Sequence, residues 1–246
     1  MRFSAVLNLV CCLVTPVALS VTSGCSSATN SEAPPVTADP PVSISGTDDV
    51  SVSGNETESS DVSEAATKVP KQQTATFGAG CFWCVEAVFE QLKSVENVRS
   101  GYTGGKADTA SYYVVSEGDT GHAEVIQFEF DPSVITYEEL LEVFWTSHDP
   151  TTLNQQGADR GTQYRSAVFY HSDEQRELAT AYKKRLNDEK AFSDPVVTEI
   201  VRFDKFYTAE RDHQDYFAQN GTAPYCQRVI RPKVEKVRKV FADKLK

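Results

Sequence analysis

Two cysteines stand three residues apart in the run Gly78-Ala79-Gly80-Cys81-Phe82-Trp83-Cys84-Val85-Glu86. An apolar strand before the glycine turn and a helical apolar period after it put Cys81 at a helix N-terminus. Free backbone N–H groups and the macrodipole there favour a thiolate, so the expected thiol pKa of Cys81 is lowered. Cys84 returns to nearly the same helical face, within reach of a disulfide. The bland alternative, an inert buried thiol, sits poorly with two cysteines flanking Phe82-Trp83 after a glycine turn. One C-x-x-C without a second pair or a spaced histidine pair supplies too few ligands for a structural metal, so none is expected. The chemistry that fits is nucleophilic and redox chemistry at sulfur.

A second chemical group lies in the run His122-Ala123-Glu124-Val125-Ile126-Gln127-Phe128-Glu129-Phe130. Alternation puts Glu124 at the head of an apolar face with Ile126, Phe128 and Phe130. A carboxyl there loses its water, its pKa rises, and it suits a general acid near neutral pH. A strand-end carboxyl that simply reaches solvent is the competing reading, and the pattern does not separate the two. Tyr112, Tyr113 and Tyr164 offer phenols and Arg165 a guanidinium, without an assignment of their own. His122, His148, His171 and His213 read as structural or exposed residues, and Asp149 and Asp159 as loop and turn residues.

The elements that must hold these groups follow from periodicity and punctuation. Strands are expected at Thr74–Phe77, Asn97–Tyr102, Ala123–Phe130, Tyr164–Tyr170 and Val196–Phe203. Helices are expected after Gly80, from the capping box Thr136-x-x-Glu139, from Ser172-x-x-Gln175, over His213–Ala218, and from Pro232 to the end. The order is β-α-β-β-α-β followed by α-β-α-α. This is an α+β class, a two-layer mixed sheet with helices on one face and a ferredoxin-like (split βαβ) core.

The chain has 246 residues and a formal net charge of −11. Residues 72–246 carry 27 acids against 21 bases without basic runs, which argues against nucleic acid as a partner. Residues 26–71 are rich in Ser, Thr, Pro and acids and contain no aromatic residue, so they read as a disordered linker. Residues 1–25 read as a signal peptide: Arg2, an apolar run from Ala5 to Val21 broken by Pro16, then Ser23-Gly24-Cys25. Gly24-Cys25 followed by serines resembles a lipoprotein box, with lipidation at Cys25 and a membrane tether. Thr22 stands where that box carries Leu or Val, so a plainly cleaved signal peptide stays open beside it. Either way the protein is expected to be exported, to the periplasm or cell envelope. With Cys11, Cys12 and Cys25 set aside, the domain at 72–246 keeps three cysteines, Cys81, Cys84 and Cys226. That odd count suits redox chemistry better than a structural disulfide framework.

Taken together, the motifs resemble the type A peptide-methionine sulfoxide reductases. Gly80-Cys81-Phe82-Trp83 is similar to the signature of that family. So are Gly101-Tyr102-Thr103-Gly104-Gly105, Gly118 to Glu124, Phe144-Trp145-x-x-His148-Asp149-Pro150, Asp159 to Ser166, and Tyr225-Cys226. These are collinear over about residues 74–230. The resemblance implies reduction of the S epimer of methionine sulfoxide in proteins, and of the free amino acid in some cases. It implies attack by Cys81, oxygen protonation by Glu124, oxygen binding by Tyr112 and Tyr164, and a methyl pocket of Phe82 and Trp83. The residue at Asp159 helps position substrate and water in that family. Cys81 would be left as a sulfenic acid, and a resolving thiol would condense with it. The resulting disulfide would be recycled by a thioredoxin-type donor, with no bound cofactor.

Two departures bear on recycling. Cys84 stands where many members carry Gly, and the glycine-rich tail with a further recycling cysteine is replaced by Gln227 to Lys233 and a helix. Either Cys84 or Cys226 could resolve; Cys84, local in sequence, is preferred. Expected partners are oxidised proteins and a thioredoxin-like reductant, and the expected state is a monomer. The only methionine is Met1, so the mature enzyme would lack its own target. The rival is an exported general thiol-disulfide oxidoreductase, which would leave Glu124 and the two phenols without a role.

Overall fold

A computed structural model describes residues 72–246. The expected signal peptide (1–25), the expected linker (26–71) and Cys25 lie outside the described residues. Strand β1 (Gln73–Ala79) leads through Gly80 and Cys81 into helix α1 (Phe82–Phe89), which is buried except for Trp83. Strand β2 (Val95–Thr103) follows, then a short helix α2 (Tyr112–Ser116) and strand β3 (Ala123–Phe130). Helix α3 (Tyr137–Ser147) precedes a two-stranded ribbon, β4 (Gln155–Gln156) and β5 (Asp159–Arg160). Strand β6 (Ser166–Tyr170), helix α4 (Asp173–Asp188) and strands β7 (Glu199–Arg202) and β8 (Tyr207–Thr208) complete the sheet. The chain ends with helix α5 (Tyr216–Gln219), a π-helical turn at Cys226–Ile230 and helix α6 (Arg231–Val240).

The main sheet runs β7-β6-β1-β3-β2-β8, antiparallel except for the β6/β7 pair. Its inner four strands, β6-β1-β3-β2, have the order of a ferredoxin-like core, and the α+β class holds. The core between the sheet and its helices is aromatic. Phe77 of β1 has Phe144 at 5.0 Å, Phe89 at 5.6 Å and Phe128 at 5.7 Å between ring centroids. A smaller cluster of Ala123, Val125, Ala167 and Phe169 packs with Phe203 and Phe206. No helix among the described residues is long and apolar enough to cross a membrane.

Both helix starts marked by capping sequences form as expected. Thr136 Oγ1 accepts the Glu139 N–H at 3.2 Å, and Glu139 Oε2 accepts the Thr136 N–H at 2.9 Å. Ser172 Oγ accepts the Gln175 N–H at 3.2 Å. Several expected boundaries move. The first two strands are longer than expected. The helix expected from Pro232 to the end stops at Val240, because Phe241 leaves the helical conformation (φ −116°, ψ 37°). Three more boundaries move, each for a local reason. The strand expected from Tyr164 begins at Ser166, because Thr162–Tyr164 forms a 3₁₀ turn closed by the Tyr164 N–H on Gly161 O at 3.0 Å. The strand expected over Val196–Phe203 shrinks to Glu199–Arg202. The Val196 N–H goes to Asn187 Oδ1 at 2.8 Å and the Val197 N–H to Pro150 O at 2.8 Å, outside the sheet ladder. The helix expected over His213–Ala218 is interrupted at Asp215, which takes a left-handed conformation (φ 51°) before α5 starts.

Candidate active site

Cys81 sits between β1 and α1 with non-helical backbone (φ −55°, ψ 125°) and is 6% exposed. Gly80, before it, has φ +87°, a left-handed value that glycine adopts freely. A Cβ there would lie 2.6 Å from Cβ and Cγ of Gln156, so the glycine also admits the β4–β5 ribbon. Gln156 pairs across that ribbon with Asp159, whose Oδ2 accepts the Tyr225 hydroxyl at 2.8 Å.

Around Cys81 the fold makes a pocket of about 160 Å³ lined by Cys81, Phe82, Trp83, Tyr112, Glu124, Asp159, Tyr164 and Tyr225. Seven of these are the residues singled out in the sequence. Tyr225, which appeared there only as part of a motif, is the eighth. Its phenol also lies 3.7 Å from Cys84 Sγ, so it touches both the acid Asp159 and the second thiol. Cys84 lies behind the lining, 2% exposed, and Cys226 is fully buried in the first turn of the π-helical segment. All three thiols are free.

Two residues that back the pocket were missed. Tyr216 stacks on Trp83 with ring centroids 3.7 Å apart, and His213 stacks on Tyr112 at 4.1 Å. Neither lies in a marked motif, and an aromatic residue near a chain end carries no signal of its own. Tyr112 is held from afar as well, since its N–H donates to Glu210 Oε1 at 2.9 Å. Arg165 serves structure: its guanidinium donates to the carbonyls of Gly121, His122 and Thr162 and pairs with Glu199. His122 and His148 are buried and hydrogen-bonded to main-chain carbonyls. Among the described residues, no group of three or more His, Cys, Asp or Glu side chains is placed to hold a metal ion.

The electrostatics of Glu124 follow from its depth. It is 2% exposed, and burial pushes its pKa up to about 8 although the Phe82 N–H, 3.0 Å from Oε2, opposes the rise. At neutral pH it is therefore mostly a carboxylic acid. With Oε2 accepting from Phe82, Oε1 is left to carry the proton. Burial also raises the phenols of Tyr112 and Tyr164, which stay protonated as donors.

The expected lowering of the Cys81 pKa is corrected. No side chain caps α1, and its first N–H, that of Phe82, is directed at Glu124 and not at sulfur. Burial then raises the Cys81 thiol, with the hydrogen bond to Cys84 and the charge of Glu124 adding to the rise. Cys84 moves the other way, to about 7, chiefly through the hydrogen bond from Cys81 and with help from the Lys233 ammonium. The thiol pair thus shares one proton near neutral pH, and its first negative charge rests on Cys84.

A buried thiol pair beside a protonated carboxyl and oriented phenols defines a thiol-based oxidoreductase site on a ferredoxin-like core. The family model for peptide methionine sulfoxide reductase matches residues 73–245, and the chain belongs to that family. It is 55% identical over 172 residues to a peptide methionine sulfoxide reductase MsrA of Natronomonas pharaonis, covering 70% of this chain and 97% of that one. It is 50% identical over 187 residues to peptide methionine sulfoxide reductase MsrA 1 of Rhodopirellula baltica, covering 76% and 96%. Among solved structures, reduced Mxr1 from Saccharomyces cerevisiae matches with a TM-score of 0.58 at 35% identity, covering 63% of this chain and 90% of that one. Methionine sulfoxide reductase A of Corynebacterium diphtheriae matches with a TM-score of 0.56 at 30% identity, covering 63% and 78%. The protein is an oxidoreductase that reduces methionine sulfoxide.

Proposed function

We propose that the enzyme reduces the S epimer of methionine sulfoxide in oxidised proteins, with Cys81 as nucleophile and Glu124 as general acid. The observation that carries this reading is Glu124, a carboxyl held protonated at neutral pH in the same small pocket as Cys81. The sulfoxide oxygen enters among Glu124, Tyr112 and Tyr164, and the S-methyl group packs on Phe82 and Trp83. A sulfoxide sulfur is a stereocentre, so fixing its oxygen, its methyl group and the direction of attack selects one epimer. Asp159, held by Tyr225, orients the substrate main chain and water.

The proton shared by the thiols moves from Cys81 to Cys84, and the Cys81 thiolate attacks the sulfoxide sulfur. Glu124 delivers its proton to the oxygen of the sulfur–sulfur adduct. The adduct's S–S and substrate S–O bonds then break as the hydroxyl passes to the Cys81 sulfur, so methionine leaves and Cys81 becomes a sulfenic acid. Cys84, now carrying the proton taken from Cys81, attacks the Cys81 sulfur. A sulfur–sulfur bond forms, the Cys81 S–O bond breaks, and the hydroxyl leaves as water with the proton that Cys84 gives up. Electrons return by thiol exchange with a thioredoxin-type dithiol, either at this bond or after its transfer to the buried Cys226. We extend the proposal to an exported enzyme, lipid-anchored at Cys25 or released after cleavage, on the strength of the amino-terminal sequence alone, and to a monomer as the default state of such a domain. Cys81→Ser should abolish reduction of a methionine sulfoxide peptide by the folded protein; undiminished reduction would refute the assignment.

A further inference from the structure

Glu86 is 1% exposed, and the chemistry above makes no use of it. Its Oε1 accepts the Ser100 hydroxyl at 3.0 Å, and its Oε2 accepts the main-chain N–H of Tyr216 at 3.2 Å. The Asp215 N–H also bonds to this carboxyl, so donors from two segments offset the cost of burying it. The segment that reaches Glu86 is stitched down just before it. Gln214 bonds to both the N–H and the C=O of Ser100, each at 2.9 Å. Asp215 then turns through a left-handed conformation into α5, a four-residue helix without a side-chain cap of its own. The first residue of that helix, Tyr216, lays its ring on Trp83 at 3.7 Å and 8° from parallel. Trp83 lines the pocket, whereas Tyr216 does not.

We propose that Glu86 is a positioning residue for the substrate pocket: its carboxyl fixes Tyr216 against Trp83 and so holds the indole where the substrate methyl group packs. The inference rests on the reading of Trp83 given above. Glu86 acts by accepting hydrogen bonds, and its charge is secondary. A glutamine can turn so that its carbonyl oxygen accepts the Tyr216 N–H and its amide donates to Ser100 Oγ. A leucine of similar size removes both bonds.

The test uses the full chain with Trp145→Phe, which leaves Trp83 as the sole tryptophan of the original two. KM for a methionine sulfoxide peptide, the single-turnover rate at saturation and the Trp83 emission are measured for this parent, Glu86→Leu and Glu86→Gln. Glu86→Leu should raise KM about tenfold, leave the saturated single-turnover rate within about threefold, and alter Trp83 emission. Glu86→Gln should match the parent in all three. A folded Glu86→Leu with parental KM and emission overturns the proposal, as does a folded Glu86→Gln that behaves like Glu86→Leu. If Glu86→Leu does not fold, Tyr216→Leu decides: an unchanged KM overturns the proposal and a matching rise supports it. A parent inactive on the sulfoxide would fail the proposed function instead, and the emission comparison would still judge the tether.

Discussion

The main-chain N–H of Phe82, the first free donor of its helix, points at Oε2 of Glu124 at 3.0 Å and not at the sulfur of Cys81. On the proposed mechanism the helix start therefore orients the acid, and activation of the nucleophile falls to its thiol neighbour. Cys84 takes the first negative charge of the pair and is the base closest in chemistry to the proton that Cys81 must lose.

Glu124→Gln removes the proton donor while keeping an acceptor for Phe82. The single-turnover rate of methionine formation should fall by about 10²–10⁴-fold. Stability should change in the opposite sense. Below pH 4.5 the carboxyl is protonated in both folded and unfolded chains and costs nothing. As pH rises toward 8 the unfolded chain releases the proton and the folded chain keeps it, so wild-type stability declines through that window. By pH 7 the loss amounts to about 3 kcal/mol as an upper figure. Urea unfolding at pH 5 and pH 8 should show the variant gaining on the wild type at the higher pH. A wild type that keeps its full advantage at pH 8 contradicts the buried-acid account.

The dependence of the single-turnover rate on pH should be a narrow bell. Its acid limb belongs to the thiol pair, whose first proton leaves at about 7 from Cys84. Its basic limb belongs to Glu124 at about 8. Stopped-flow measurements on Glu124→Gln should retain the acid limb and lose the basic one. A basic limb that survives the substitution would assign it to another group.

Resolution by Cys84 is read from disulfide mapping after one equivalent of substrate without reductant. The expected product is a Cys81–Cys84 bond; a Cys81–Cys226 bond with Cys84 free would reject it. Cys84→Ser, which removes the base for Cys81, should form one equivalent of methionine more slowly than the wild type and leave a Cys81 sulfenic acid that a dione probe captures.

Gly80→Ala combines a strained backbone with a collision. The φ of +87° costs a side-chain-bearing residue about 1–2 kcal/mol. The new methyl would also meet Gln156 at 2.6 Å and displace the ribbon that carries Asp159. Thermal unfolding should shift down and KM rise, with the Cys81 thiol still reactive. An unchanged KM would separate the ribbon from the pocket.

Part of this site could be read in the chain because some of its parts are local patterns, while Tyr112, Tyr164, Phe82, Trp83 and Asp159 were marked only by the family resemblance. The glycine turn and the capping box at Thr136 are each written in a few consecutive residues, and each formed. The alternation put Glu124 on the apolar face but left its burial open, and the fold buries it to 2% exposure. The ferredoxin-like order followed from the sequence of strands and helices. What escaped were features set by distant partners. The pairing of Gln156 with Asp159 depends on the space left by Gly80, 76 residues earlier. Tyr216 reaches Trp83 only through the left-handed Asp215 and the buried Glu86. The Cys81 pKa was misjudged for the same reason, because the helix N–H groups were assigned to sulfur without knowing that a strand carboxyl competes for them.

The central claim is most directly tested by offering the purified protein the separated S and R epimers of a methionine sulfoxide peptide with dithiothreitol. The account predicts turnover of the S epimer, none of the R epimer, and complete loss of turnover in Cys81→Ser. Reduction of the R epimer, or of neither by folded protein with free thiols, would contradict it; the latter result would bring the disulfide-exchange reading to the front.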